Sequence, residues 1–383
     1  MTDGLLLVSF GGPEGPDDVI PFLENTTKGR GIPRERLAEV GQHYTTFGGV
    51  SPINAENRDI VVRLERALAR AGLDLPVYWG NRNWKPYLVE AIAAAKADGI
   101  TRLYAFVTSA HSSYSGCRQY RENLYDAMAE IFGPDGVDTA GIEIVKLRAY
   151  FDHPGFVDPF VDGTIAALAA LGPTPTVQPE DQRPISPLDL PGDGVRPLPP
   201  ASTRLVFTTH SIPVSAAEHS GPPGAGDAYL AQHRVVATLV TARVNESLGT
   251  DLEWDLVYQS RSGAPHIPWL EPDISVHLEQ LKGEAAAAAV IIPIGFVSDH
   301  MEVVWDLDTV ALRDARALDL PAVRVATPGT DDRFIDMVVE LVTDSQQRRP
   351  GRALSPLGPW PSPCAAGCCP NPRGERPALC GSD

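Results

Sequence analysis

Short apolar runs alternate along the chain with longer segments in which apolar residues recur every three or four positions. The runs are typical of buried strands, and the periodic segments are typical of amphipathic helices. Strands that alternate with helices of ten or more residues predict βαβ units and parallel sheets. The predicted strands span residues 5–10, 77–80, 103–108, 143–149, 204–209, 254–258, 288–294 and 322–326, and the clearest helices span residues 54–71, 87–97 and 332–345.

A Pro-rich segment of low apolar content interrupts this series. It cannot bury a core of its own, so it indicates a flexible linker or a surface insertion. We therefore predict an α/β fold in which two doubly wound, Rossmann-like parallel-sheet domains face each other across a cleft. The predicted N-terminal domain, linker, C-terminal domain and Pro/Gly/Cys-rich tail cover residues 1–171, 172–203, 204–345 and 346–383.

Ligands of open parallel sheets bind beyond the carboxyl ends of the strands, and this rule selects candidate site residues from the pattern alone. His210 directly follows the strand predicted at 204–209. A single histidine at a strand end is more often structural than catalytic. His210 becomes a candidate because an acidic segment follows the strand predicted at 288–294.

That acidic segment is PIGFVSDHMEVVWDLD, and we expect Ser298 or Asp299 to cap a helix there. Asp299, Glu302 and Asp306 stand at i, i+3 and i+7, which places three carboxylates on one face of the helix. Like charges on one face call for a neutralising cation, unless the face is exposed to solvent. The apolar residues between the carboxylates favour a helix that is sunk into the protein.

Composition narrows the classes of function. Acidic residues outnumber basic ones 49 to 32, and the net charge of −17 disfavours nucleic acid and suits a metal cation. No phosphate loop and no Gly-rich dinucleotide motif is present, so we expect no nucleotide cofactor. The sequence contains no basic leader and no apolar run of roughly 18 residues, which predicts a cytoplasmic protein without a membrane span.

Five cysteines are unevenly placed, with one at Cys117 and the others in the last twenty residues, at Cys364, Cys368, Cys369 and Cys380. In a reducing compartment such a group binds metal more often than it forms disulfides.

Five ordered stretches resemble the ferrochelatase family, whose members insert iron into a porphyrin. They are LLLVSFGGPEGPDDVIPFLENTTKGRG, HYTTFGGVSPIN, LVFTTHSIP, YQSRSGAPHIPWLEPD and PIGFVSDHMEVVWDLD. The GGPEGP and SSYSGCRQY stretches are similar to the Gram-positive-type branch. That resemblance implies coproporphyrin III and Fe²⁺ as substrates, and transient contact with neighbouring haem-pathway enzymes.

The resemblance also implies roles for individual residues. His210 matches the active-site histidine, and Glu302 matches its acidic partner across the macrocycle. A histidine and a carboxylate can both accept pyrrole protons and ligate iron, so the sequence does not separate these roles. Asp306 matches a further carboxylate towards the metal entry side. A third carboxylate of that row is replaced by Val310.

Other matched positions concern the porphyrin. Ser51 and Tyr120 match residues that contact the ring and its propionates. Arg30 is the propionate partner best placed by its motif, with Arg34 and Arg82 as further candidates. Glu14 stands where several relatives carry a tyrosine that can approach the iron.

Some ferrochelatases hold a [2Fe–2S] cluster between an internal cysteine and a Cys-rich C-terminus, and such a cluster needs four thiolates. We predict Cys117, Cys364, Cys369 and Cys380 as its ligands. Cys368 is the alternate, because two adjacent cysteines would have difficulty both reaching one small cluster. A zinc site and a redox-sensitive tail are the competing interpretations.

The competing functions are a protoporphyrin ferrochelatase, a cobalt or nickel chelatase, and a non-catalytic haem or metal carrier of the same fold.

Overall fold

The computed structural model describes residues 2–29, 31–172, 184–189, 199–264 and 266–382. Two four-stranded parallel sheets form its centre. The sheet of the N-terminal lobe has the order β2-β1-β3-β4. Its strands are β1 Asp3–Ser9, β2 Val77–Asn81, β3 Arg102–Val107 and β4 Glu143–Lys146.

The C-terminal lobe repeats this topology in the order β6-β5-β7-β8. Its strands are β5 Thr203–His210, β6 Trp254–Gln259, β7 Ala288–Ile292 and β8 Ala322–Arg324. The central strands β1 and β5 are therefore equivalent, which accounts for the similar sequences LLLVSFGGP and LVFTTHSIP. The predicted fold class is confirmed. The fourth strand is shorter than predicted, since β4 ends at Lys146.

Helices connect the strands and cover both faces of the sheets. They are α1 Pro16–Thr26, α2 Arg34–Thr45, α3 Ile53–Arg70, α4 Leu88–Ala97, α5 Gln119–Phe132, α6 Pro154–Leu171, α7 Val214–Glu218, α8 Ala228–Leu248, α9 Ile274–Gly283, α10 Met301–Val303, α11 Leu312–Ala317 and α12 Asp332–Gln347. Two π-helical turns are present, at Tyr114–Arg118 and Val304–Ala311.

One hydrophobic core runs through both lobes, so the lobes form one body around the cleft. It contains apolar residues of β1, β3, α6, β5, β7 and α12. Phe106 of β3 meets Phe334 of α12 with ring centroids 5.8 Å apart. Helix α6 is apolar and long enough to cross a membrane, but 72% of that stretch is buried inside the protein. This burial is typical of a core helix.

Most of the predicted linker, 172–203, lies outside the described residues. Ile185, within its described part, pairs with Val325 beside β8. The Ile185 amide donates to the carbonyl of Arg324 at 2.8 Å, and the Ala326 amide donates to the carbonyl of Ile185 at 2.8 Å.

The tail that follows α12 packs on the N-terminal lobe. Arg148 donates to the carbonyl of Arg352 at 2.6 Å, and Arg121 donates to the carbonyl of Leu379 at 2.6 Å. These contacts place the tail cysteines next to the turn that carries Cys117.

Candidate active site

The carboxyl ends of β5 and β7 bring the two main candidate residues together. Gly295 makes this possible, because a Cβ atom there would lie 2.1 Å from Oγ1 of Thr209. With no side chain at this position, the segment after β7 passes directly over the end of β5. His210 ends β5, and Glu302 lies in the first turn that follows the crossing.

His210 and Glu302 face each other, with Nε2 of the imidazole 3.7 Å from Oε1 of the carboxylate. The two side chains are 31% and 48% exposed, so a ligand in the cleft can reach both. Nδ1 of His210 forms a hydrogen bond with the carbonyl oxygen of Ser211. Because a carbonyl can only accept, Nδ1 carries the proton of the neutral ring and Nε2 presents its lone pair.

The electrostatic surroundings favour protonation of His210. Burial alone lowers the pKa of His210, but the nearby Glu302 carboxylate outweighs burial, so the net pKa is raised. The bond to Ser211 and the charge of Asp306 act in the same direction. A raised pKa makes the neutral imidazole of His210 a stronger base.

Asp306 follows Glu302 by four residues, in the π-helical turn Val304–Ala311. Burial raises the pKa of Asp306 to about 6, against a lowering hydrogen bond from Ser260. The charge of Glu302 contributes to this raised pKa. Asp306 can therefore exchange a proton near neutral pH beside the His210–Glu302 pair.

The predicted row of three carboxylates on one helical face is wrong at Asp299. Asp299 pairs with Arg324 at 2.9 Å, and Arg324 is 1% exposed. The predicted helix cap is also wrong, since Nδ1 of His300 accepts the amide of Glu302 at 3.2 Å and caps α10. The helix begins at Met301, one residue later than a cap at Asp299 implies and two later than a cap at Ser298, so Asp299 lies before it.

Sequence reasoning missed Glu56, a residue of α3 in the N-terminal lobe. Its Oε2 accepts the backbone N–H of Asp299 at 3.0 Å across the interface between the lobes. Burial raises the pKa of Glu56 to about 8, and the charge of Asp299 contributes to this. No sequence signal distinguishes Glu56 from the other acidic residues of α3, because its partner comes from the other lobe.

His43 is a second residue near the site that the sequence did not indicate. Its ring stacks on Trp305 with centroids 4.0 Å apart and planes 8° apart, joining α2 to the π-helical turn. Phe47, which is 39% exposed, meets Trp305 at 6.5 Å. Phe10 and Val50, which are 38% and 41% exposed, lie on the same lobe after β1 and before α3. These apolar surfaces suit a flat aromatic ligand.

The residues predicted to contact a porphyrin differ in their surroundings. Ser51 is buried, with its amide bonded to the carbonyl of Pro13 at 2.9 Å. Tyr120 is buried under the guanidinium of Arg82, which lies 4.9 Å from the ring centroid. Arg30 lies outside the described residues. The roles of these residues remain predictions.

Two further positions singled out in the sequence form ion pairs with residues of the N-terminal lobe. Arg34 is exposed and pairs with Glu24 at 2.8 Å. Glu14 forms an ion pair with Arg58.

Four buried thiols form a separate group, the thiol site, at Cys117, Cys364, Cys368 and Cys369. Their sulfur atoms approach in two pairs, with 3.8 Å between Cys117 and Cys364 and 3.8 Å between Cys368 and Cys369. In the described part of the chain, no three or more His, Cys, Asp or Glu side chains are arranged to hold one metal ion.

The thiol site differs from the predicted set of cluster ligands at one cysteine. Cys380, which we predicted as a ligand, donates its S–H to the carbonyl of Ile144 at 3.0 Å. Cys368 takes its place in the thiol site. Cys368 and Cys369 are adjacent in sequence, yet their sulfur atoms lie 3.8 Å apart within the thiol site, where Cys369 has a left-handed backbone with φ of 53°.

The chain is similar in sequence to a known family and to named relatives. Residues 2–346 match the family model described as ferrochelatase. The chain is 52% identical to a coproporphyrin III ferrochelatase of Streptomyces griseus, over 100% of this chain and 96% of the relative. It is 48% identical to a coproporphyrin III ferrochelatase of Leifsonia xyli, over 99% of this chain and 94% of the relative. A solved structure, SirB from Bacillus subtilis with Fe³⁺, is 10% identical with a TM-score of 0.45, over 91% of this chain and 98% of that one.

Proposed function

The chain belongs to the ferrochelatase family, and from that premise we propose that it inserts Fe²⁺ into coproporphyrin III, using His210 and Glu302. It is a lyase of haem biosynthesis. The observation that carries the proposal is the 3.7 Å approach of His210 Nε2 to Glu302 Oε1, at a strand end that stays accessible from the cleft.

The reaction exchanges two pyrrole protons of the porphyrin for one Fe²⁺. The lone pair of His210 Nε2 accepts a pyrrole proton, and the bond from Nδ1 to the Ser211 carbonyl holds the ring in this tautomer. The Glu302 carboxylate stabilises the imidazolium that results. Asp306, whose pKa is raised to about 6, offers a second carboxylate for removing protons or guiding the cation.

Coproporphyrin III is the substrate proposed because both relatives described above carry it in their names. Arg82 supports an anionic substrate, since its guanidinium lies 5.6 Å from the ring centroid of the exposed Phe10. A cation beside an apolar surface suits a propionate on a flat ring.

We also propose that the thiol site holds a [2Fe–2S] cluster, with Cys117, Cys364, Cys368 and Cys369 as ligands. The donor set fits, because such a cluster needs four thiolates and four buried thiols are present. Buried Lys146 supports the fit. Burial lowers the pKa of Lys146, but the charges of Cys117 and Cys364 outweigh the effect of burial, so the net pKa is raised. When bound, the cluster supplies a one-electron redox centre and ties the tail to the N-terminal lobe.

A cytoplasmic location and transient contact with neighbouring haem-pathway enzymes remain predictions.

Anaerobic incubation of the purified protein with Fe²⁺ and coproporphyrin III tests the function. The proposal predicts repeated turnover to the iron porphyrin and a higher kcat/KM than with protoporphyrin IX, measured side by side. Preference for protoporphyrin IX would overturn the substrate assignment. Faster insertion of Co²⁺ or Ni²⁺ would favour a different chelatase, and a single stoichiometric binding event without turnover would favour a carrier.

A further inference from the structure

We propose that Tyr229 is a positioning residue for His210, and that it links His210 to the thiol site through the turn that precedes α8. The inference rests on the proposed function, because that function gives His210 its role in the chemistry.

The Tyr229 hydroxyl lies 2.8 Å from the carbonyl oxygen of His210 and 2.8 Å from Oγ1 of Thr209. The His210 carbonyl can only accept, so the Tyr229 hydroxyl donates to it and receives the hydroxyl proton of Thr209. Tyr229 is 6% exposed and Thr209 is 1% exposed. Water therefore has little access to replace these bonds, and they fix the last peptide of β5.

The orientation of the imidazole depends on this peptide. The Ser211 amide donates to the carbonyl of Gln259 at 2.7 Å, and the Ser211 carbonyl holds Nδ1 of His210. With Tyr229 on the His210 carbonyl, both the C=O and the N–H of the peptide between His210 and Ser211 are held by hydrogen bonds. Loss of the Tyr229 bond allows Nε2 to move relative to Glu302.

Tyr229 is itself held by the turn between α7 and α8. Its amide donates to Oγ of Ser220 at 2.8 Å, and the Ser220 hydroxyl donates to the carbonyl of Ala217 at 2.5 Å. The next residue, Gly221, donates its amide to Sγ of Cys369 at 3.2 Å and accepts the amide of Cys369 at 3.0 Å. A hydrogen-bonded path thus runs from the thiol site through Gly221, Ser220 and Tyr229 to His210.

A second contact ties the start of α8 to the loop that leads to Cys117. Gln232 accepts the amide of Ser112 at 2.7 Å and donates to its hydroxyl at 3.0 Å. His233, the residue after Gln232, and His111, the residue before Ser112, stack with ring centroids 3.6 Å apart. The first turns of α8 therefore lie between His210 and both segments that supply thiols, so a change at the thiol site is transmitted to His210.

Tyr229→Phe tests the positioning role, because it removes one hydroxyl and keeps the ring. We expect kcat to fall by about tenfold while the KM for porphyrin stays within about twofold. Tyr150→Phe is the matched control, because the buried Tyr150 hydroxyl donates to the strand-end carbonyl of Val107 at 3.0 Å in the other lobe. An unchanged kcat in Tyr229→Phe, or an equal loss in Tyr150→Phe, would overturn the positioning role.

Hydrogen exchange without substrate tests the link to the thiol site. We expect amides of residues 203–211 to exchange faster in Tyr229→Phe, in Cys369→Ser and in Ser220→Ala, which interrupts the path without changing a thiol. Tyr150→Phe should leave this segment unchanged. Wild-type exchange of the segment in both Cys369→Ser and Ser220→Ala would overturn the link. A parallel His210→Ala sample distinguishes failure of this inference from failure of the proposed function. Turnover in that variant would contradict the role that the proposed function gives to His210.

Discussion

The guanidinium of Arg324 donates to both carboxylate oxygens of Asp299, at 2.9 and 3.0 Å. The same guanidinium donates to Asp308, at 2.8 Å for its longer bond. Arg324 is 1% exposed, so one buried cation pairs with two carboxylates of the acidic segment. This leaves Glu302 and Asp306 as the carboxylates that face His210.

Arg324→Met should therefore be strongly destabilising, because it leaves Asp299 and Asp308 buried without their cation. We expect a loss of about 3–5 kcal/mol in the free energy of unfolding, measured by urea denaturation. Arg313→Met is the control: Arg313 is 62% exposed and pairs with Asp314, so its loss should be within about 1 kcal/mol. Equal losses in the two variants would contradict the structural role of Arg324.

Glu56→Gln should change the dependence of stability on pH. The pKa of Glu56 is about 8 in the folded protein, against an ordinary value of 4.5. Between these values the folded protein keeps a proton that the unfolded chain has lost, so stability falls as pH rises. The amide of Gln can still accept the Asp299 N–H without titrating. Wild type should therefore lose stability relative to Glu56→Gln from about pH 5 to about pH 8.

Chemical denaturation at a series of pH values measures this difference. Glu65→Gln, on an exposed position of the same helix, should follow the wild-type profile. A constant difference between wild type and Glu56→Gln across the range would show that Glu56 does not hold its proton in the folded state.

Single cysteine variants test the ligands proposed for the cluster. Cys368→Ser in anaerobically purified protein should abolish the visible absorption of a [2Fe–2S] cluster, because Cys368 belongs to the thiol site. Cys380→Ser should keep that absorption, since the Cys380 thiol is directed to the carbonyl of Ile144. The reverse pattern would restore the assignment made from the sequence. Colourless wild-type protein with stoichiometric zinc would replace the cluster with a zinc site.

Glu302→Gln should lower the pKa of His210, because the Glu302 carboxylate is the interaction that outweighs burial of the imidazole. The pKa is measured by NMR titration of the His210 ring in the substrate-free protein. Glu271→Gln, which removes an exposed carboxylate paired with Arg261, is the control. An unchanged His210 titration in Glu302→Gln would mean that the two groups do not interact in solution.

The sequence predicted the parts of this molecule that depend on local pattern. Alternation of apolar runs with helical segments predicted the parallel sheets, and the strand-end rule selected His210 before any family was considered. The resemblance then pointed to Glu302. Both residues lie at chain positions fixed by the strand that precedes them, so a one-dimensional pattern contains the information.

The errors concern contacts between segments that are distant in sequence. Asp299 does not share a helical face with Glu302 and Asp306, because it pairs with Arg324 on β8. Glu56 and Tyr229 carry no local signal, since their partners lie on another lobe or another strand. The placement of Cys368 in the thiol site and of Cys380 at the Ile144 carbonyl depends on where the tail docks, which the sequence does not show.

The most direct test of the account is anaerobic iron insertion by His210→Ala, compared with wild type, with Fe²⁺ and coproporphyrin III. Porphyrin affinity, measured separately by fluorescence quenching, should stay within about twofold, because the apolar surfaces of the cleft are unchanged. We expect a loss of at least about 100-fold in kcat, since the variant removes the Nε2 lone pair that lies 3.7 Å from the Glu302 carboxylate. Retention of more than a few per cent of wild-type turnover would contradict it.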